Sequence, residues 1–356
     1  MRTIITTTGI SLLSNTARDL KKKNSEVTDT ELQQYFIKVG ASEASAETNS
    51  LLKIATSDDK VVLLYTATPE GKLCMKEVHR YLKNQGWSKI IPRELPLEKN
   101  ESQFERHGLR ELVNILVEEI NAAQLRNEEV IINATGGFKA EISYTTMVGM
   151  VFQVPVKYIY QDFQQPITFP ALPISWNIDL LLEYDHFFEW IDAEPRQKIE
   201  VEQRLRAIPD KDSIQQLLLS PDAEDYIYLS PAGGILWQRV NQQRKLAEIT
   251  PEAPASENIE SEKISSSLKE VKHHFPDGTK AFSEKLAKIP AVEEIISGHF
   301  ENTTLKRVKR IFDDGSILVL WADNTKAVRI TIRTTARGQA QTLKIRDTYI
   351  QPLLDS

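Results

Sequence analysis

Two glycine-bearing segments combine residue types suited to an anionic ligand. In RTIITTTGISLL an apolar, β-branched run ends at Thr8 and Gly9, where the backbone can approach a ligand closely. Ile10 follows, and Ser11 offers a hydroxyl to a phosphate or a ribose. The same serine suits a helix N-cap, so this segment alone leaves both roles open. In EVIINATGGFKAE a second such run ends in Asn133, Thr135 and the pair Gly136 and Gly137, after which Phe138 and Lys139 begin a helical pattern. Backbone N–H groups and an ammonium can there face one anion. A lysine in a helix's first turn opposes the macrodipole, and an anionic ligand would supply the reason for it. The spacing is neither GxxxxGK nor GxGxxG. Thr66 and Thr68, which close VVLLYTAT, are weaker candidates for adenine or ribose contacts and equally for capping the next helix.

A third set of reactive side chains lies near the C-terminus. LKRVKRIF carries Lys306, Arg307, Lys309 and Arg310, and AVRITIRTTARG carries Arg329, Arg333 and Arg337. Strand geometry places Arg307 with Lys309 on one face, and Arg329 with Arg333 on one face. The plain reading is the solvated side of a half-buried sheet. Residues 265–356 hold 15 Lys plus Arg against 11 Asp plus Glu, so they carry about +4 of a chain total of −6 and leave about −10 to the first 264. That asymmetry favours RNA as a partner of the tail. His273 and His274 are adjacent, point in different directions and have no third ligand nearby, so surface or linker-end positions are expected rather than a metal site. The single cysteine, Cys74, excludes an intramolecular disulfide and any multi-cysteine zinc site, and its apolar flanks suggest a buried thiol.

The elements that must position these residues fall into blocks. RTIITTT, VVLLYTA, SKIIPREL, EVIINAT and VKYIYQD read as strands rich in Val and Ile. They are separated by helical patterns, including 71–84, 108–123 and a helix from Phe138. That alternation predicts a doubly wound parallel sheet over residues 1–180, with both loops at the carboxyl ends of strands, where ligands bind such sheets. Residues 181–247 read as a small helical, loosely winged-helix-like module ending in a hairpin at Pro231. Residues 248–268, without aromatic side chains, read as a linker. Residues 269–356 read as an α+β domain. FSEKLAKIPAVEEIISGHF supplies one or two helices, three antiparallel strands turn at Asp313–Gly315 and Ala322–Asn324, and a last helix spans about 341–354. The 356 residues are 41% hydrophobic and 26% charged, and no apolar run nears the ~20 residues of a membrane span. No small-residue cleavage site follows the opening stretch, so a cytoplasmic protein without membrane contact is expected.

TTTGISLL, NATGGFKAE and FPALPISWNID, in this order over residues 1–180, resemble the CRISPR-associated Rossmann-fold (CARF) sensors of cyclic oligoadenylates, in particular those with ring-nuclease activity. The resemblance implies a homodimer with cyclic tetra-adenylate across its two-fold axis, and it makes Ser11 and Lys139 the cleavage residues of a reaction that needs no metal or other cofactor. The ribose 2′-hydroxyl would attack its own 3′ phosphate, Lys139 would offset the developing charge, and Ser11 would position the group. The tail, by its order of helices and basic sheet, resembles the RelE ribonucleases that cut messenger RNA, free or ribosome-bound. That resemblance implies Lys306, Lys309, Arg333 and Arg337 as phosphate-stabilising residues, with Tyr349 as general acid or base. GSILVLW lacks the arginine those toxins carry on the equivalent strand. A ligand-activated ribonuclease is therefore expected first. A ring nuclease whose tail binds RNA or drives oligomerisation is expected second, and a ligand-controlled DNA-binding regulator third.

Overall fold

The computed structural model describes residues 1–96, 103–160, 163–172, 176, 178–269 and 274–355. The chain divides into two compact units, Met1–Trp176 with Glu194–Gln238, and Asn177–Ala193 with Arg239–Ser356.

The first unit is built on a six-stranded sheet in the order β3-β2-β1-β4-β5-β6, from β1 (Arg2–Thr8), β2 (Lys60–Thr66), β3 (Ile90–Leu95), β4 (Glu129–Asn133), β5 (Val156–Tyr158) and β6 (Ile167–Phe169). The first five run parallel, and β6 pairs antiparallel to β5. Alternation along the strands sends apolar groups to two covered faces. Ile5, Val62, Leu64, Val130 and Ile132 pack towards the helices Arg110–Leu125 and Lys139–Val151, while Ile4, Val61, Leu63 and Ile131 pack on the opposite side with Leu51, Val78 and Leu82. The strand order reverses direction between β1 and β4, and the loops leaving their carboxyl ends diverge there. Four helices follow β1: α1 (Ser11–Leu20), α2 (Asp29–Val39), α3 (Ala41–Ala44) and α4 (Ala46–Ile54). The helix α5 (Pro69–Asn84) follows β2.

Some local expectations are corrected. The hairpin expected at Pro231 is the first turn of a helix, Pro231–Ile249. A proline suits that turn because its N–H would have no intrahelical partner, and the Ser230 hydroxyl accepts the Gly233 N–H at 3.0 Å. The only ribbon nearby among the described residues pairs β7 (Arg196–Gln197) with β8 (Tyr226–Ile227).

The second unit holds a four-stranded antiparallel sheet in the order β10-β11-β12-β9, from β9 (Val292–Glu301), β10 (Arg307–Ile311), β11 (Ile317–Ala322) and β12 (Ala327–Thr334). The turn at Asp313–Gly315 has Gly315 at φ +89°. AVEEIISGHF, expected as helix, is β9. Its fully buried residues Val292 and Ile295 are three apart, because register shifts in its pairing with β12 break the two-residue period. The stretch expected as a linker is tied into this unit. Ser256 N–H donates to Pro290 O at 2.8 Å, Lys263 is buried and donates to Ile289 O at 3.2 Å, and Ile264 bridges Ile295. A nearly continuous helical segment, Gln339–Asp355, closes the chain.

Candidate functional site

At the carboxyl ends of β1, β2 and β4 lies a cavity of about 350 Å³. It is lined by the backbone and side chains of Thr8–Ser11, by Thr66 and Thr68, by Thr135–Phe138, and by Glu47 and Glu141. The two loops that sequence alone singled out come together here. A Cβ added to Gly9 would lie 2.9 Å from Gly137 N, and one added to Gly136 would lie 2.8 Å from Thr7 O and 2.5 Å from Glu47 Oε1. Larger residues would push the loops apart. Gly137 adopts φ +101°, closed to most side chains, and a Cβ there would meet Glu141 Oε2 at 2.1 Å. The Thr7 hydroxyl donates to Gly136 O at 2.5 Å and fastens one loop to the other.

Four helices begin at the cavity: α1 at Ser11, α4 at Ala46, α5 behind its cap Thr68, and the helix Lys139–Val151. The positive ends of their dipoles face a site that has no lysine or arginine among its lining residues, although some first-turn N–H groups are already taken by Ser11, Ser45 and Thr68. Three carboxylates, Glu47, Glu70 and Glu141, line it. Glu47 is 1% exposed. Its Oε1 accepts the Gly9 N–H at 2.9 Å and its Oε2 accepts the Ser11 hydroxyl at 2.6 Å. Ser11 Oγ in turn accepts the Ala46 N–H at 3.0 Å. Glu141 accepts the Phe138 N–H at 3.1 Å through Oε2, whereas its buried Oε1 has no partner. Burial pushes the Glu141 carboxyl up to about 7, against the opposing pull of that N–H.

The other residues expected at this site occupy distinct positions. Thr68 caps α5 through the Gly71 N–H at 3.1 Å, and its hydroxyl meets that of Thr66 at 3.0 Å, so both line the cavity while one also caps. Asn133 is fully buried beneath the loop. Its amide donates to Ser50 Oγ at 2.7 Å and accepts from the Thr135 hydroxyl at 2.7 Å, so it shapes the loop and is not a lining residue. Lys139 is exposed, lies outside the lining, and has no ion-pair partner among the described residues. Half-exposed Phe138 packs edge-on against Phe104 at 5.7 Å. Ser14, Ala46, Glu47, Glu70 and Glu141 were missed from sequence. Glu141 had a readable signal, three residues past a helix start as in a capping box. Glu47 had none. Cys74 is buried with its thiol pushed up to about 12, as core packing requires. Pro173, Ile174, Ser175 and Asn177 of FPALPISWNID lie outside the described residues.

The cations of the tail do not assemble into one site. Arg307 is 7% exposed and pairs with Glu183 over the Tyr184 ring. A bulge at Lys309 breaks the alternation expected to set Arg307 and Lys309 on one face. Lys309 donates to Glu301 at 2.9 Å, Arg329 pairs with the same carboxylate, Arg310 pairs with Asp179 at 2.9 Å and Arg333 with Glu294 at 2.8 Å. Lys306 sits 4.1 Å from the Trp321 ring, whose strand neighbour is Val328. Arg333 lies five residues further along β12, about 17 Å away at strand rise. Arg337 donates through its guanidinium to Ala336 O, and Tyr349 is half-buried in the closing helical segment. His274 stacks on Phe275 at 5.0 Å, and His273 lies outside the described residues. Among the described residues no helix is long and apolar enough to cross a membrane.

Two kinds of likeness accompany this geometry. Can2 from Sulfobacillus thermosulfidooxidans, solved in complex with cyclic tetra-adenylate, matches at 12% identity and TM-score 0.26 over 70% of this chain and 66% of that one. VC1899 from Vibrio cholerae matches at 9% identity and TM-score 0.27 over 94% of this chain and 77% of that one. Residues 42–172 match the protein family Cas_APE2256, described as CRISPR-associated protein. That stretch takes in Glu47, Thr66, Thr68, Glu70 and the second glycine loop, but not the first. Over residues 42–172, the chain is thus similar to CRISPR-associated proteins of the Cas_APE2256 family.

Proposed function

We propose that the cavity receives one nucleotide unit of a cyclic oligoadenylate, cyclic tetra-adenylate foremost, and that two copies of the chain enclose the ring across a two-fold axis. The observation that carries this reading is the meeting of two glycine loops and four helix N-termini around one space of about 350 Å³. A volume at the low end of ligand pockets suits a nucleoside and not a ring of four, so a second copy supplies the rest. Carboxylates inside favour the amino groups of bases over phosphates. The phosphates are then left to the helix N-termini and to Lys139 at the rim.

Ring opening at such a site needs no metal. The 2′-hydroxyl attacks the neighbouring phosphorus in line, a 2′,3′-cyclic phosphate forms, and Lys139 offsets the charge on the phosphoryl oxygens. The dispersed, ion-paired cations of the tail favour a ring nuclease with a binding or assembly module over a ligand-activated ribonuclease. Incubation of the full chain with labelled cyclic tetra-adenylate and, separately, with RNA tests this reading. Linear products from the first and none from the second are expected. Ligand-dependent RNA cleavage would restore the ribonuclease reading, and Lys139→Ala cleaving the ring at the wild-type rate would remove that lysine from the reaction.

A further inference from the structure

Glu47 is a buried carboxylate with no lysine or arginine partner among the described residues, and it accepts the proton of Ser11, one of the two serines that line the cavity. A clip for the Gly9 N–H alone would be served by an amide, without the cost of burying a charge. The hydrogen bonds around Ser11 also fix its direction. Its proton points to Glu47 Oε2 at 2.6 Å, and one lone pair receives the Ala46 N–H at 3.0 Å. What remains towards the cavity is a single lone pair, so Ser11 can accept a hydrogen bond from a ligand hydroxyl. While Glu47 holds its proton, Ser11 cannot donate one to a phosphate.

We propose that Ser11 and Glu47 form a proton relay for the ribose 2′-hydroxyl, with Glu47 as the terminal acceptor acting through Ser11. The inference rests on the reading of the cavity as a cyclic oligoadenylate site. In the step, the 2′-oxygen bonds to the adjoining phosphorus and the bond from phosphorus to the 5′-oxygen breaks. The 2′ proton passes to Ser11 Oγ as the serine's own proton passes to Glu47 Oε2, and the departing 5′-oxygen takes a proton from water. Glu47 later returns its proton to solvent. Glu47 is thereby a positioning residue that also sets the basicity of Ser11.

The test uses the full-length chain and radiolabelled cyclic tetra-adenylate, with dissociation constant and single-turnover rate measured separately. Glu47→Gln keeps the shape and an acceptor for Gly9 N–H but cannot take the proton. The relay predicts a loss in rate of about 10²- to 10⁴-fold with the dissociation constant within about threefold. Ser11→Ala should lose a similar factor, and the double variant should be no slower than the worse single one, because the two act as a unit. If Glu47→Gln does not fold, the wild-type chain still decides. A ring with 2′-deoxyribose, lacking the hydroxyl that Ser11 accepts, should bind about three- to tenfold more weakly. Cleavage by Glu47→Gln within threefold of wild type, additive losses in the double variant, or equal binding of the deoxy ring would each overturn the relay and leave the ligand reading intact. Binding without any cleavage would overturn the relay alone, whereas no binding at all would overturn the ligand reading and the relay with it.

Discussion

Replacing Glu141 by glutamine should make the first unit more stable in alkaline solution and change little in acid. The side chain is 2% exposed, one of its oxygens has no partner, and burial holds its carboxyl near 7 instead of 4.5. Because the folded value lies above the unfolded one, the neutral group's stability is fully present below pH 4.5 and is lost as pH rises through 7. A difference of some 2.5 units corresponds to about 3 kcal/mol at most by pH 8.5. Glutamine keeps an oxygen for the Phe138 N–H and never ionises. Calorimetric melts at pH 5 and pH 8.5 read the outcome. The variant should melt close to wild type at the lower pH and several degrees above it at the higher one, at about 2–4 °C per kcal/mol for a unit of this size. Parallel pH dependences for the two proteins would refute the claim that Glu141 is buried neutral at the cavity.

Two further outcomes follow from particular contacts. Gly137→Ala, forced to φ +101° and 2.1 Å from Glu141 Oε2, should cost at least about 2 kcal/mol in urea unfolding and weaken ligand binding; a loss under about 0.5 kcal/mol would count against the loop geometry. Asp185→Ala should destabilise the second unit by about 3–5 kcal/mol. Burial raises the Asp185 carboxyl, but Arg346 and Arg244 more than reverse this, and without Asp185 the guanidinium of Arg346, 2% exposed, loses its partner at 2.7 Å and keeps Asp347 alone, while Arg244 loses its own close partner. Unchanged urea midpoints would contradict that assignment.

The parts of the fold visible in the sequence were those where a periodic pattern meets a glycine. The β1 and β4 runs, each buried on both faces, read as continuous Val, Ile and Thr, and Gly9 and Gly136 mark where they end at the switch point. Glu47 could not be read because it lies in a polar stretch that folds into four helices, and only their packing brings α4 back to Ser11 across 36 positions. The tail misled for a different reason. Bulges in β9 shift the two-residue period, so Val292 and Ile295 looked helical, and Arg307, which precedes the bulge in β10, looked solvent-facing while Glu183 and Tyr184 cover it. Charge counts also took no account of partners. Glu301 alone engages Lys309 and Arg329.

Calorimetric titration of the full-length chain with cyclic tetra-adenylate tests whether the cavity between the two glycine loops is a cyclic oligoadenylate site completed by a second copy. Saturable binding at one ring per two chains is expected, abolished or weakened at least tenfold by Gly137→Ala. Absence of heat at ligand concentrations of about 100 μM, or binding that Gly137→Ala leaves untouched, would contradict it.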